Sequence, residues 1–374
     1  MESPAEALLA SLRIIPDPRV NRTLRHPLES ILFVAICGVL CGAESWIDLE
    51  AFGVSRKEWL SRHVDLPNGI PSHDTFGRVF AQLDPQALQG SLLLWVKAAA
   101  LRKPGEVVAI DGKTLRGSHN RSQGQRPLHL VSAWAEANHL MLGQVRTEEK
   151  SNEIEAIPRL LEMLDLKKCT VTLDAMGTQG EIAQKIRDKE ADYVLCLKGN
   201  QGVFHEEVKA FWEDSNLKES DYQTHETLDR GHGRVEKRRY RISDQIQRLS
   251  FERNGWVGLK TIGMVESERR VGSKTSLERR LFLSSLNADA TRFAEAVRAH
   301  WKIENELHWS MDVLFDEDQC RVRVKHAAEN FALLRRIALH LLKKEHSSPK
   351  RSVRGKRLKA AWEPAYLEVI LGTI

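Results

Sequence analysis

The sequence predicts an α/β protein with a mixed sheet, preceded by an all-helical N-terminal region and interrupted by a β-rich insertion. Three observations carry this. Residues 28–100 place apolar side chains at helical spacing. Residues 107–197 then read strand, strand, strand, helix, strand, helix, strand, the order of an α/β layer. Strand-like texture returns from about residue 215 to 286, before a further amphipathic helix. At 374 residues and 42% apolar content, the chain is long enough for two or three domains with sizeable cores.

The front region has apolar helical periodicity through Leu28–Ala43, Trp46–Trp59, Phe76–Leu83 and Leu88–Leu101, with Pro71-Ser72-His73-Asp74 as a turn and cap opening the third. Several short helices here suit a helix-turn-helix DNA reader or a plain helical scaffold. Its longest uncharged apolar run, Ile31–Ala43, has 13 residues against the roughly 20 of a spanning helix, so no membrane span is expected. The N-terminus lacks a secretory pattern, which makes the cytoplasm the expected compartment. Five scattered cysteines, mostly in apolar runs, argue against a disulfide framework or a thiolate zinc site.

After Pro104-Gly105, Val107–Ile110 runs into Asp111-Gly112, and His129–Trp134 and Leu140–Thr147 flank the turn Glu136-Ala137-Asn138. A helix at Glu153–Leu164, a strand at Thr170–Leu173 ending in Asp174, a helix at Gln179–Lys189 and a strand at Tyr193–Leu197 follow. Two strands thus end in aspartate, at the carboxyl edge where open α/β sheets bind ligands. If they are neighbours, Asp111 and Asp174 meet; the plainer role for either is to cap the next turn. In the insertion, Arg238–Ile242, Val257–Val265 and Arg280–Leu286 read as strands, and Trp256 as a core residue or, the less simple reading, a side chain that stacks on an unpaired base.

The helix beginning near Asp289 or Thr291 and reaching about Val313 contains HWKIENELHW, residues 300–309. At 100° per residue, Phe293, Ala296, Val297, Ile303, Leu307 and Met311 form one apolar stripe. Glu304 falls at the edge of that stripe, between His300 and His308, where an uncompensated carboxylate is costly and therefore a functional candidate. Glu306 falls on the opposite face beside Lys302, as a solvated charge. Trp301 and Trp309 read as packing residues. His300 and His308 are about 12 Å apart along a helix and cannot share a zinc ion. A third carboxylate beside two strand-end aspartates makes an all-oxygen set suited to Mg²⁺ or Mn²⁺, and two such ions suit phosphodiester chemistry.

The net charge of +5 is concentrated. Residues 230–241 carry six positive and one negative charge, residues 343–359 eight and one, and the remainder is net −7. Two basic patches suit a polyanion such as nucleic acid. A helix at Ala327–Lys343 precedes the second patch.

Together, HPLESIL, IPSHDTFGRVF, AIDGKTLRGS, EEKSNEIEAIPRLL, VTLDAMGTQ, YVLCLKGNQ, HGRVEKRRY, HWKIENELHWSMDVLFDED and RGKRLKAAW, in this order along nearly the whole chain, resemble DDE transposases of the ISAs type, the group that includes the H-repeat-associated proteins. The resemblance implies a ribonuclease H-like catalytic domain with a β-rich insertion and Asp111, Asp174 and Glu304 as its metal-binding triad. It implies cleavage at the ends of an insertion sequence and joining of the 3′-hydroxyl to target DNA, with two Mg²⁺ or Mn²⁺ ions. Double-stranded DNA (terminal repeats and target) is the expected partner, a homodimer on DNA the expected assembly, and the bacterial nucleoid the expected place. The expected layout is a helical DNA-binding region over 1–103, catalytic segments over 104–214 and 287–345, the insertion over 215–286 and a basic tail over 346–374. The tyrosine, arginine and lysine that often surround the glutamate in the wider superfamily are replaced here by Val297, His300 and Met311. Arg298, His300 or Lys302 are expected to take over their grip on DNA. Arg234, Lys237, Arg238 and Arg239, with Lys350, Arg351, Arg354, Lys356 and Arg357, are expected to contact phosphate. A standalone nuclease with the same triad, and a DNA-binding protein with a decayed centre, are the rival readings.

Overall fold

The computed structural model describes residues 5–20, 24–97, 105–120, 124, 126–147, 153–231, 233–249 and 255–372. Its front is helical: α1 (Glu6–Arg13), α2 (Leu28–Leu40), α3 (Trp46–Ser55), α4 (Lys57–Leu60), α5 (His73–Gln82) and α6 (Pro85–Lys97). The Ser45 hydroxyl accepts from the Asp48 amide at 3.2 Å and the Asp48 carboxylate accepts from the Ser45 amide at 2.9 Å, a reciprocal cap that opens α3. The stretch expected as one helix over Trp46–Trp59 is divided at Arg56 into α3 and α4. Ser72 caps α5 through the Thr75 amide, as its turn predicts. The end of the helix expected over Leu88–Leu101 lies outside the described residues. Every residue of α2 except Glu29 is buried, so its apolar run is a helix enclosed on all sides. Among the described residues no helix is long and apolar enough to cross a membrane.

The middle of the chain forms one nine-stranded mixed sheet of order β3-β2-β1-β4-β5-β9-β8-β7-β6. Its strands are β1 (Val107–Leu115), β2 (Leu128–Ala135), β3 (Leu140–Thr147), β4 (Thr170–Leu173), β5 (Asp192–Leu197), β6 (Gln223–Gly231), β7 (Arg234–Ser243), β8 (Thr261–Val271) and β9 (Lys274–Ser284). Helices α7 (Glu153–Met163) and α8 (Gly180–Asp188) connect β3 to β4 and β4 to β5, and α9 (Gly202–Glu213) follows β5. Strands β1, β4 and β5 run parallel, and β2 and β3 are antiparallel. Asp111 does not end its strand. β1 continues to Leu115 because β2 pairs with it throughout, whereas its pairing with β4 stops at Ile110 opposite Leu173. Asp111 and Asp174 therefore still stand level, at the point where the parallel ladder ends.

Residues 223–284 join this sheet rather than stacking beside it, since β9 pairs antiparallel with β5 from Val194–Ser284 to Leu197–Leu281. The unexpected strand β6 is polar on both faces and mostly exposed, so no period-2 apolar pattern marks it. Cross-strand charges hold these ladders, with Arg239 on β7 bonding Glu226 on β6 at 2.7 Å and Arg279 on β9 bonding Glu266 on β8 at 2.8 Å. Trp256 is buried against Phe204, with ring centroids 5.7 Å apart.

Helix α10 (Ala290–Lys302) is capped by Asp289, whose Oδ1 accepts from the Thr291 and Arg292 amides at 3.0 Å each. It lays Phe293, Ala296 and Val297 across the sheet, against Val107, Val194, Tyr240, Ile242 and Phe282. The helix then widens into a π-helical stretch, Ile303–His308, and resumes as α11 (Trp309–Phe315). All six residues of the expected apolar stripe are buried. Helix α12 (Ala327–Lys344) packs against α2, α5, α6 and β3. Asn330, wholly buried, donates to the carbonyls of Phe80 and Leu83 at 2.9 Å each, and Trp46 lies 4.8 Å from Phe331. The front helices thus share one core with the last third of the chain. The basic tail folds back as α13 (Val353–Trp362) and α14 (Pro364–Leu371).

Candidate active site

Asp111, Asp174 and Glu304 line one cavity of about 190 Å³, together with Lys198, Arg280, His300 and Trp301. Asp111 comes from the middle of β1, Asp174 from the residue after β4, Lys198 from the residue after β5, Arg280 from β9, and the rest from α10 and its π-helical continuation. Asp174 also caps its turn: its Oδ1 accepts from the Met176 amide at 3.0 Å and the Gly177 amide at 3.2 Å. That bonding fixes the carboxylate at the cavity wall. The π-helical stretch occupies the segment that carries Glu304, a geometry that recurs where helices present functional side chains.

The electrostatic cost expected at Glu304 falls on Asp111 instead. Glu304 is exposed, although Ile303 and Leu307 of the same stretch are buried. Asp111 is pushed up to about 7, first by burial and then by the charges of Asp174, Glu153 and Glu304, against a bond from the Gly112 amide. Glu153, not singled out by its position in sequence, is a fourth carboxylate here. It is buried on α7 behind β1 and bonds His129 Nε2 at 2.6 Å. It approaches so closely because Gly112 has no side chain; a Cβ there would lie 2.8 Å from the Glu153 Cδ.

The two histidines have different partners, one an aspartate and the other a threonine. His308 Nδ1 lies 3.5 Å from Asp111 Oδ2, and His300 Nδ1 lies 3.0 Å from Thr172 Oγ1 on β4. Burial, with nearby cations, lowers His308 to about 3 and His300 to about 4, so both are neutral at pH 7. The three cavity carboxylates do not converge on one point: among the described residues no three His, Cys, Asp or Glu side chains stand together as a ready metal clasp. The donor chemistry nonetheless fits a hard divalent cation, because three carboxylates supply oxygen donors and their mutual repulsion, visible at Asp111, is what such an ion relieves.

Several charges expected at the surface are spent inside the protein. Glu306 is half-buried; burial pushes its carboxyl up, but bonds from His139 at 2.6 Å and Lys343 at 2.9 Å outweigh that and hold it at about 2. It is a tether between the β2–β3 turn and α12, not a solvated charge. Lys302 is ion-paired with Glu136. Arg238 is buried between Asp229 and Glu236, and Lys237 and Arg239 both pair with Glu226. Lys356 is buried over the Leu342 and Glu345 carbonyls, and buried Arg357 pairs with Glu44 at 3.1 Å and bonds the Val39 carbonyl at 3.2 Å. Arg238, Lys356 and Arg357 are thus structural cations. Arg234, Lys350, Arg351 and Arg354 are exposed, with no ion pair among the described residues.

Trp301 is ringed by guanidinium groups, with Arg280 at 4.9 Å, Arg238 at 5.2 Å and Arg298 at 5.8 Å from its ring centre. Arg298 also reaches Asp229 at 3.5 Å. Trp309, read as packing, is 57% exposed. Lys198 and Arg280, the cations that line the cavity, escaped sequence reasoning. Lys198 had a usable signal, as it directly follows a strand of the same parallel set. Arg280 had none, because only the pairing of β9 with β5 brings it here.

Residues 9–96 match the family model described as DDE_Tnp_1-associated, and residues 102–341 match the transposase DDE domain. The chain is 41% identical to "Putative transposase YncI" of Escherichia coli O157:H7, over 98% of its own length and 95% of the relative's. It is 38% identical to "H repeat-associated putative transposase YhhI" of Escherichia coli K12, over 97% of each. A 75-residue stretch, 20% of this chain, is 43% identical to "Inactive transposase YbfQ" of the same strain and covers 89% of it. With a domain match over more than half its length and relatives matched end to end, this chain belongs to the DDE transposase family.

Proposed function

We propose that the protein is an active transposase that cuts DNA at the ends of an insertion sequence and joins the freed 3′-hydroxyl to target DNA. The observation that carries this is the presence of Asp111, Asp174 and Glu304 in one cavity walled by Lys198 and Arg280. The β3-β2-β1-β4-β5 order, with β2 antiparallel between parallel-set and hairpin neighbours, supports a ribonuclease H-like core. Asp111, Asp174 and Glu304 would hold Mg²⁺ or Mn²⁺, two ions in all. When bound, these supply charge stabilisation for the attacking and leaving oxygens at phosphorus. In the first step a water oxygen bonds to phosphorus and the 3′-oxygen leaves; in the second that 3′-oxygen bonds to a target phosphorus and a target 3′-oxygen leaves.

The residues around the triad have separate tasks. The Met176 and Gly177 amides hold Asp174 in orientation, and neutral His308 stands against Asp111 without adding charge. Lys198 and Arg280 offset the charge of the phosphate that enters. Arg234, Lys350, Arg351 and Arg354 are the exposed cations of this reading for double-stranded DNA, and synapsis of two ends calls for a homodimer. A standalone nuclease would share the cleavage step but not the joining step. A decayed copy is disfavoured because all three carboxylates are present.

The test is Glu304→Gln on DNA carrying the element's terminal repeats. Loss of Mg²⁺-dependent cleavage with DNA binding retained is expected; unchanged cleavage overturns the assignment. Joined products distinguish a transposase from a nuclease.

A further inference from the structure

The nine-stranded sheet ends in β3 on one side and β6 on the other, and the two edges are treated differently. β3 is buried along its length except at Arg146, packs against α6, α7 and α12, and its Gln144 amide donates to Gln89 Oε1 of α6 at 2.8 Å. β6 is nine residues long and pairs with β7 alone. Among the described residues no group outside β7 bonds the backbone of residues 224–231, so a row of amides and carbonyls stands open as a template for another strand.

Alternation divides the side chains of this edge between two faces. Asp229 reaches Arg298 of α10 at 3.5 Å, and His225 and Thr227 of the same set are half-buried. Glu226, Leu228 and Arg230 therefore stand on the opposite, open face, with Leu228 54% exposed. Glu226 meets Lys237 and Arg239 of its own hairpin, whereas Arg230 has no ion pair among the described residues. This face is complementary to itself. When a second β6 runs antiparallel about a two-fold axis at Leu228, Leu228 faces the partner's Leu228 and each Glu226 faces the partner's Arg230. A slip of two residues either way sets a charge against Leu228, a slip of four sets Glu226 or Arg230 against itself, and a slip of one turns the face over.

We propose that the protein self-associates through β6, joining the sheets of two copies into one about a two-fold axis at Leu228. Because β3 is covered, the pairing closes at two copies. Both copies of α10 then lie on one side of the joined sheet. The inference deepens the transposase reading, on which it rests for its purpose, by naming the contact that links two catalytic cavities; the contact itself needs no DNA.

The test is sedimentation of the full chain without DNA, across the micromolar range, where a monomer–dimer equilibrium is expected. Leu228→Glu, which sets two carboxylates against each other at the axis but faces Lys237 within its own hairpin, and Arg230→Glu should each weaken the dimer by roughly tenfold without lowering the melting temperature. Glu226→Arg alone should weaken it likewise, and an equal mixture of the Arg230→Glu and Glu226→Arg proteins should pair again, because each like charge then meets its opposite. Under mild oxidation Leu228→Cys should give a disulfide-linked dimer, while Leu277→Cys, at a position 58% exposed on β9, should give no more than the native protein. A native protein that stays monomeric, assemblies larger than two, or a dimer indifferent to Leu228→Glu and to the charge exchange overturns the proposal. End cleavage in Mg²⁺ is scored separately. Dimers through β6 without cleavage sink the transposase reading alone, and cleavage without dimers through β6 sinks this surface alone.

Discussion

Glu306→Gln tests whether the second glutamate of HWKIENELHW is a tether. The native carboxylate lies between His139 on the β2–β3 turn and Lys343 on α12, and its pKa is lowered from 4.5 to about 2. At 1.36 kcal/mol per tenfold change in acidity, the fall from 4.5 to about 2 corresponds to roughly 3 kcal/mol. The side chain is 25% exposed, and solvent screening brings the expected loss to about 1–2 kcal/mol. Because the folded pKa is depressed, this stabilisation is complete above about pH 4.5 and disappears as pH falls through 2. Urea denaturation at pH 7 should therefore find the variant less stable than the native protein, and the difference should shrink as pH falls from 5 towards 2. Mg²⁺-dependent cleavage by the folded variant should persist. Equal midpoints at pH 7, or a difference that stays constant through acid, would refute the tether.

Four other substitutions probe charge and close packing elsewhere. Arg336→Met strands the wholly buried Glu317, now bonded at 2.8 Å, with Lys113 at 4.0 Å as its remaining cation; a loss of about 3–5 kcal/mol in urea denaturation is expected, and a neutral result would refute the pairing. Lys350→Ala should lower the salt dependence of DNA binding by about one unit of slope with stability unchanged, whereas Lys356→Ala should leave the slope alone and cost about 2 kcal/mol of stability by abandoning Glu345. Gly117→Ala places a Cβ 2.5 Å from the Cys320 carbonyl oxygen and 2.7 Å from that of Asp318, so a thermal scan should show a loss of about 1–3 kcal/mol; native-like stability would mean that the two backbone segments part easily.

Legibility in the sequence followed the range of the interaction. The buried strands β1 to β5 were readable because dense apolar runs and short polar breaks are local signals. The stripe on α10 was equally readable, since a 3.6-residue period is set within one element. Strand β6 was not: its residues are polar on both faces, and only the neighbouring β7 makes them a strand. The division at Arg56 and the widening at Ile303–His308 escaped a fixed 100° phase, which cannot register a broken or π-helical turn.

By itself, then, the sequence determined the family motifs, the three carboxylates and most of the element order, because motif spacing and periodicity are properties of contiguous residues. The tertiary structure alone decided which charges are free. Glu306 is held by residues 139 and 343, Arg357 by residues 39 and 44, and Arg238 by residues 229 and 236, and the first two sets lie far along the chain. It alone brought Arg280 to the cavity, through hydrogen bonds between β5 and β9 that join strands separated by three others in sequence. A charged side chain looks the same in sequence whether it meets solvent, a phosphate or a buried partner; only the fold supplies the neighbour that distinguishes them.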